Sequence, residues 1–182
     1  RGVLAGGNDG TSSETPLNVI QYKTIASDVG TSEFGDLQSA RFGLKGSGSN
    51  ITLGIFAGGK TSSSNNVTDT DKITVATTGS EADFADLRVG ARMGGAGGAS
   101  NGTLLFVTGG RGASGRIDNK EYFTFASPAT SVDAGNLDKA KSGIAASNGN
   151  SKYLIAGGYD GGSGTEDVIE YHTFSTSADS SS

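Results

Sequence analysis

The side chains that could do chemistry in this chain are few and scattered. His172 is the only histidine, and the sequence contains no cysteine. A serine–histidine–aspartate triad or a histidine metal cluster needs partner side chains that converge on the imidazole, and the sequence predicts none for His172. We therefore interpret His172 as a surface or packing residue. Because cysteine is absent, disulfides, cysteine-ligated zinc and thiol catalysis are excluded.

Carboxylates lie beside glycines in two segments. Asn8-Asp9-Gly10 is followed by Glu14, and Tyr159-Asp160-Gly161 is followed by Glu166 and Asp167. Oxygen ligands of this kind can bind calcium, but neither segment has the spacing of a twelve-residue calcium loop. Asp-Gly is also an ordinary turn sequence. Turn formation is therefore the preferred interpretation, and calcium binding in these two loops is the alternative.

Basic residues recur in phase along the chain, at Arg41, Arg92 and Lys141. They could bind an anionic ligand along one face, or they could have a structural role, either by pairing with the Asp/Asn-Leu dipeptide or by capping backbone carbonyls. Recurrence in every period favours the structural role, because a binding site usually occupies one place. Lys60 and Arg111 take the place of the carboxylates in the equivalent middle loops. The sequence therefore predicts no uniform metal site, no catalytic residue and no cofactor.

Three Asn-X-Ser/Thr sequons begin at Asn50, Asn66 and Asn101. In a secretory pathway that glycosylates proteins, they would be acceptors on surface turns. A chain rich in Ser, Thr and Asn also produces such triplets by chance, so glycosylation at these positions stays open.

The elements that must position these residues belong to a repeat. Four short β-like segments end in Gly-Gly, at Arg1–Gly7, Leu53–Gly59, Leu104–Gly110 and Lys152–Gly158. Their second glycines lie 52, 51 and 48 residues apart. A period near fifty with strand chemistry in each unit is typical of propellers and solenoids.

Three further features recur in phase with the Gly-Gly segments. They are a Thr-containing second strand (Ile20–Ser27, Thr70–Thr77, Lys120–Ser127, Ile169–Thr176), an Asp/Asn-Leu step (Asp36-Leu37, Asp86-Leu87, Asn136-Leu137) and a small-residue strand (Phe42–Asn50, Met93–Asn101, Ser142–Asn150). Each period is therefore predicted to hold about four short strands. Leu53, Ile55 and Ala57 alternate with Phe56, which predicts a Gly-Gly strand that is buried on both faces.

The segment from Asp86 to Gly110 resembles a kelch motif. It has a basic residue, a small-residue strand, a turn and an apolar strand that ends in Gly-Gly. The Phe-Gly-Asp-Leu step and the Ala-Gly-Gly ends resemble the kelch-like repeats of tailed-phage virion and bacterial extracellular proteins. The chain departs from typical kelch blades because it has no Trp and carries the strand tyrosine only at Tyr22, Tyr122 and Tyr171.

The resemblance implies an all-β fold of kelch-like β-propeller blades, with about 50 residues per blade. The single array covers 1–176 as repeats 1–52, 53–103, 104–151 and 152–176, followed by a Ser-rich tail at 177–182. These are three full periods and a partial fourth, in which the first blade lacks its leading strand and the last lacks its outer strand. The ring is expected to be open, or to be completed by another chain or by missing sequence. A compact four-bladed monomer with a defective seam is the third alternative.

The charge and composition limit the classes of function. The formal net charge is −5 without a run of Lys and Arg, so the footprint of a nucleic-acid binder is missing. The longest wholly apolar run, 104–107, is too short for a membrane span. Copper-radical oxidases and sialidases on related blades need Cys or Trp, so we expect no enzyme.

Two functions are compatible with these limits. The first is a non-enzymatic structural protein of a virion, extracellular fibre or cell surface, which self-associates into a larger oligomer through its blade ends. The alternative is a glycan- or protein-binding module, an adhesin or receptor-binding protein, that uses the loops of one face. Both would lie outside the cell or on a virion surface, where chains rich in Ser, Thr, Gly and Asn with low charge are common.

Overall fold

A computed structural model describes residues 1–11, 13–61, 66–91, 95–96, 98–162, 164–174 and 181. Its strands in chain order are β1 (Gly2–Ala5), β2 (Val19–Lys23), β3 (Ser32–Asp36), β4 (Gly46–Ser49), β5 (Leu53–Ala57), β6 (Asp69–Thr74), β7 (Ala82–Asp86), β8 (Gly95–Ala96), β9 (Gly98–Ser100), β10 (Leu104–Thr108), β11 (Arg111–Gly112), β12 (Gly115–Arg116), β13 (Asn119–Thr124), β14 (Ser127–Asn136), β15 (Ile144–Asn148), β16 (Lys152–Ala156) and β17 (Ile169–Thr173). The predicted all-β class is confirmed for these residues. None of them belongs to a helix that is long and apolar enough to cross a membrane.

The strands form four successive sheets. Sheet 1 is β1-β2-β3, sheet 2 is β4-β5-β6-β7, sheet 3 is β9-β10-β13-β14, and sheet 4 is β15-β16-β17 with β8 beside β15. Every pair is antiparallel except β8 with β15, and a separate hairpin joins β11 to β12. Within the described ranges no sheet closes on itself. The small-residue strands β4, β9 and β15 each precede a Gly-Gly strand in the same sheet, and we call them leading strands.

Among the described residues, each end sheet lacks one named strand of its own repeat, as the repeat pattern predicts. Sheet 1 has no leading strand among the described residues, so β1 lies at its edge. In sheet 4 the fourth-strand position is taken at one point by Ser181, which exchanges two backbone hydrogen bonds with Tyr171. Tyr22 and Ser32 pair at this same spacing of ten residues in sheet 1. Ser181 belongs to the predicted Ser-rich tail at 177–182 and is thus paired. The other residues of that tail lie outside the described ranges.

The Gly-Gly pairs have one backbone conformation that explains their recurrence. The first glycine of each pair has φ between 56° and 67°, and the second has φ between 111° and 116°. Side-chain-bearing residues avoid this region, whereas glycine enters it freely. The N–H of Gly7 then bonds to the carbonyl of Arg41, and the N–H of Gly59 bonds to that of Ala91. The N–H of Gly110 bonds in the same way to the carbonyl of Lys141, so the first three pairs tie their sheets to the chain segments that lead into the next sheet.

Three hydrophobic clusters join the four sheets in order. Ile20 and Phe34 of sheet 1 pack with Phe56 of sheet 2, whose Ile55 faces the other way and packs with Leu105 of sheet 3. Sheets 3 and 4 share the cluster that contains Phe106, Tyr153 and Ile155, among others. The predicted burial of both faces of the second Gly-Gly strand is therefore confirmed. We call the face of a sheet that points to the following sheet its front face, and the opposite face its rear face.

The outermost faces of the array are exposed and partly apolar. On sheet 1, Val3 and Ala5 pack against sheet 2, while Leu4 between them is on the rear face and is 64% exposed. On sheet 4, Tyr153 and Ile155 pack against sheet 3, while Leu154 is on the front face and is 50% exposed. Side chains alternate between the two faces of a strand. These exposed positions are therefore the counterparts of positions that are buried between the inner sheets.

Candidate functional site

His172 lies in the core between sheets 3 and 4. Its ring centroid is 5.0 Å from that of Phe106 and 5.4 Å from that of Tyr153, and its Nδ1 is 3.1 Å from Nζ of Lys120. The imidazole is buried among these aromatic rings. The structure therefore gives His172 a packing role.

The two acidic loops are organised as turns. Oδ1 of Asp9 accepts hydrogen bonds from the N–H and the hydroxyl of Thr11, at 3.1 and 2.7 Å, and from the N–H of Thr15. These bonds, those from Thr11 first, hold the pKa of Asp9 below its usual value. Oδ1 of Asp160 likewise accepts from the N–H groups of Gly162 and Gly164. In the described part of the chain no three His, Asp or Glu side chains are grouped to hold a metal ion.

The recurring basic residues have buried acidic partners. Arg41 is 2.8 Å from Oδ2 of Asp71 in sheet 2, and Lys141 contacts Glu170 in sheet 4, with all four side chains almost fully buried. The expected partner was the Asp/Asn-Leu step, but the principal partner is an acid on the third strand of the sheet that follows. Arg92, the middle member of the series, lies outside the described residues.

Burial dominates the electrostatics of the first of these pairs. It raises the pKa of Asp71, and the attraction of the Arg41 guanidinium opposes that rise. The same Arg41 residue accepts a backbone hydrogen bond from Gly7 of sheet 1 through its carbonyl. Arg41 therefore connects sheet 1 through its backbone to sheet 2 through its side chain, which is a structural task that leaves no charge exposed for a ligand.

A further buried pair was not predicted from the sequence. Lys45, just before β4 in sheet 2, contacts Oε1 of Glu121 on β13 in sheet 3, and both side chains are fully buried. Glu121 also accepts hydrogen bonds from the N–H of Arg88 and from the hydroxyl of Ser131. Burial alone would raise the pKa of Glu121, but Lys45 and the hydrogen bonds from Ser131 and Asn119 together hold it below its usual value.

The sequon asparagines serve the turns in which they lie. Oδ1 of Asn50 accepts from the N–H groups of Thr52 and Leu53, and Oδ1 of Asn101 does the same one repeat later. Nδ2 of Asn66, the atom that a glycan would modify, donates to the carbonyl of Arg111 at 3.0 Å. Glycosylation of Asn66 would therefore replace a contact between two loops.

Loops that follow successive Gly-Gly pairs contact one another. Besides the bond between Asn66 and Arg111, the Arg116 guanidinium lies 4.1 Å from the centre of the Tyr159 ring in the next loop. Tyr159 is 43% exposed, whereas Phe123 of β13 is buried between sheets 2 and 3. In the described part of these loops, Tyr159 therefore presents an exposed aromatic ring beside the Arg116 guanidinium.

Two comparisons with known proteins find no match. No protein-family model matches the sequence, and no curated protein matches it. The functional argument therefore depends on the fold and on the surfaces described above.

Proposed function

We propose that this chain is a non-enzymatic structural repeat protein that assembles head to tail through its end sheets. The observation that carries the proposal is the repetition of one interface. The front faces of sheets 1, 2 and 3 each pack on the rear face of the next sheet, and the same two kinds of face are exposed at the ends of the array. A heterologous contact of this kind forms a ring if its rotation closes and a filament if it does not.

The exposed residues at the two ends support this pairing. The rear face of sheet 1 presents Leu4, with Ile25 in the position that is buried as Phe125 in sheet 3. The front face of sheet 4 presents Leu154 and Ile169, which are 50% and 60% exposed. Exposed apolar surface at the ends of a repeat array is normally covered by a capping element or a partner. A second copy of the chain offers the complementary face.

The setting that we propose is a virion, an extracellular fibre or a cell surface. Its support is compositional: 31 glycines, no cysteine and a charged fraction of 18% in a chain rich in Ser, Thr and Asn. The kelch-like resemblance of the repeat to tailed-phage virion and bacterial extracellular proteins agrees with it. We propose a propeller-like arrangement of the four sheets on the same grounds.

Sedimentation and electron microscopy of the purified chain test the proposal. We expect a mass that rises with protein concentration from the 18.2 kDa protomer to discrete rings or filaments. Leu154→Lys should abolish that rise, because a charge on the front face of sheet 4 would be buried without a partner. Ile51→Lys is the matched control, since Ile51 is fully exposed in a turn and belongs to neither end face. A stable monomer at all concentrations would refute the proposal.

A glycan- or protein-binding module is the second candidate, and the loop surface favours it. Arg116 stacked on the exposed ring of Tyr159 offers a cationic and an aromatic group side by side. Such pairs are common where proteins recognise ligands with planar or polar faces. Binding of the wild-type chain to a glycan array, with loss in Tyr159→Ala and retention in the matched variant Tyr171→Ala on sheet 4, would support it. An array without any ligand would count against it.

A further inference from the structure

Strand β1 is the one Gly-Gly strand of the described sheets that has no leading strand beside it. In sheets 2, 3 and 4 the strands β4, β9 and β15 pair with β5, β10 and β16. The leading strands also contact one another, with β9 between β4 and β15. The place beside β1 is therefore the next position in a row that the other three sheets already fill.

The backbone N–H and C=O groups on that side of β1 are oriented for pairing with another strand. The N–H of Gly6 bonds to the carbonyl of Val19. In an antiparallel pair every second residue bonds to the partner strand, so the residues that bond to β2 are every second one, counted back from Gly6. The N–H and C=O groups of Val3 and Ala5 consequently point to the open edge. An exposed edge of this kind is a template for adding another strand.

A cavity of about 260 Å³ adjoins this edge. It is lined by Val3 of β1 and by residues of sheet 2 that include Ser49, Gly54, Phe56 and Ile73. In sheet 2, a Cβ on Gly46 of the leading strand would lie 2.6 Å from Cγ1 of Val107 in sheet 3, so that position favours a very small residue. A strand beside β1 would face sheet 2 in the same way. Its position equivalent to Gly46 would face Phe56, the counterpart of Val107, and its next position on that side would face Gly54, which has no side chain.

We propose that the open edge of β1 and this cavity form an acceptor site for an extended polypeptide segment of small, uncharged residues. The segment pairs antiparallel with β1, as β15 pairs with β16. Its residue opposite Ala5 is glycine or alanine because Phe56 is close, and its residue opposite Val3 points into the cavity beside Gly54. Gln21 stands where the other sheets have Asp71, Glu121 and Glu170, so the segment needs no counterpart of Arg41.

The test uses a capped synthetic peptide with the sequence of residues 142–150, which contains β15 and carries no charge. By the register of β15, its Ala145 would lie opposite Ala5 and its Ser147 opposite Val3. We expect saturable binding to the full chain, with slower hydrogen exchange at the N–H groups of Val3 and Ala5. Ser147→Leu in the peptide should tighten binding about tenfold by filling the cavity, and Ala145→Leu should abolish it.

A pair of backbone-modified peptides separates strand pairing from non-specific adhesion. The amides of 145 and 147 would face β1, whereas that of 146 would point away. N-methylation at 147 should therefore abolish binding, and the same modification at 146 should leave it unchanged. Equal effects of the two modifications, protection elsewhere in the chain, or the absence of binding would each overturn the proposal.

This inference deepens the proposed function but can fail separately from it. Leu154→Lys places a charge on the front face of sheet 4 and leaves the β1 edge intact. It should therefore abolish assembly while preserving peptide binding. Conversely, a chain that assembles but does not bind the peptide would retain the proposed function and refute the acceptor site.

Discussion

At the scale of single residues, the informative groups are charges that the fold buries in pairs. Lys45 and Glu121 come from different sheets and are 76 positions apart in the chain. A buried pair of this kind contributes little net stability compared with an apolar pair, but removal of one partner leaves an uncompensated charge. Removing one member of the pair should therefore cost more stability than the intact pair contributes.

The lowered pKa of Glu121 predicts a specific dependence of stability on pH. A carboxylate whose folded pKa lies below its ordinary value of 4.5 contributes stability that is present above that value and is lost as the pH falls through the folded pKa. The free energy of unfolding should thus fall more steeply below pH 4.5 in the wild type than in the variant Lys45→Met/Glu121→Gln. Denaturant titrations from pH 7 to pH 3 measure this, and parallel curves would contradict the assignment.

Tyr153 provides a second prediction at this scale. Its ring is fully buried between sheets 3 and 4, and its hydroxyl has no hydrogen-bond partner among the described residues. Burial, and then the charge of Glu170, raise the pKa of this hydroxyl. Because a buried unpaired hydroxyl is costly, Tyr153→Phe should increase the free energy of unfolding by about 1 kcal/mol. If urea denaturation instead gave a lower free energy of unfolding for Tyr153→Phe than for the wild type, the hydroxyl would have a partner.

At the scale of elements, the Gly-Gly strand ends can be tested with a matched pair of substitutions. Gly58 and Gly157 have φ of 65° and 64°. A Cβ at Gly58 would lie 2.7 Å from the carbonyl oxygen of Ala91. A Cβ at Gly157 would lie 3.5 Å from the carbonyl oxygen of Glu166, which is an ordinary contact distance. Both alanine variants incur the cost of the left-handed backbone, about 1 kcal/mol.

Gly58→Ala should therefore destabilise the chain by about 1–3 kcal/mol more than Gly157→Ala, because it also forces the close approach apart. Thermal and denaturant unfolding of the two variants measure the difference. Equal losses would mean that the backbone conformation alone, and not the contact with the next sheet, explains the glycine.

The strands could be predicted from sequence wherever the local backbone conformation or burial requires a particular type of residue. The Gly-Gly pairs reveal the period because only glycine enters their backbone region, and the alternation of Ile55 and Phe56 reveals two buried faces. The partner of Lys45 could not be predicted, because no local signal links it to Glu121 on another sheet. The β11–β12 hairpin was missed as well, although the Ala-Ser-Gly sequence within it is a turn signal.

At the scale of the whole molecule, the order of the sheets determines what kind of assembly to expect. Three consecutive interfaces use a front face against a rear face, so a copy that adds to the array by the same rule meets a different face at each end. Such a contact is heterologous and leaves one face of each kind free after every addition. A contact between two identical ends would instead be self-limiting and would produce only dimers.

Two single substitutions distinguish these arrangements. Leu4→Lys blocks the rear face of sheet 1 and leaves the front face of sheet 4 intact, and Leu154→Lys does the reverse. If copies join front to rear, each variant alone remains a protomer of 18.2 kDa, while an equimolar mixture forms a dimer and nothing larger, because one compatible pair of faces is left. If identical ends join, one variant alone dimerises and mixing adds nothing. Sedimentation equilibrium of each variant and of the mixture therefore separates a propagating repeat from a closed dimer.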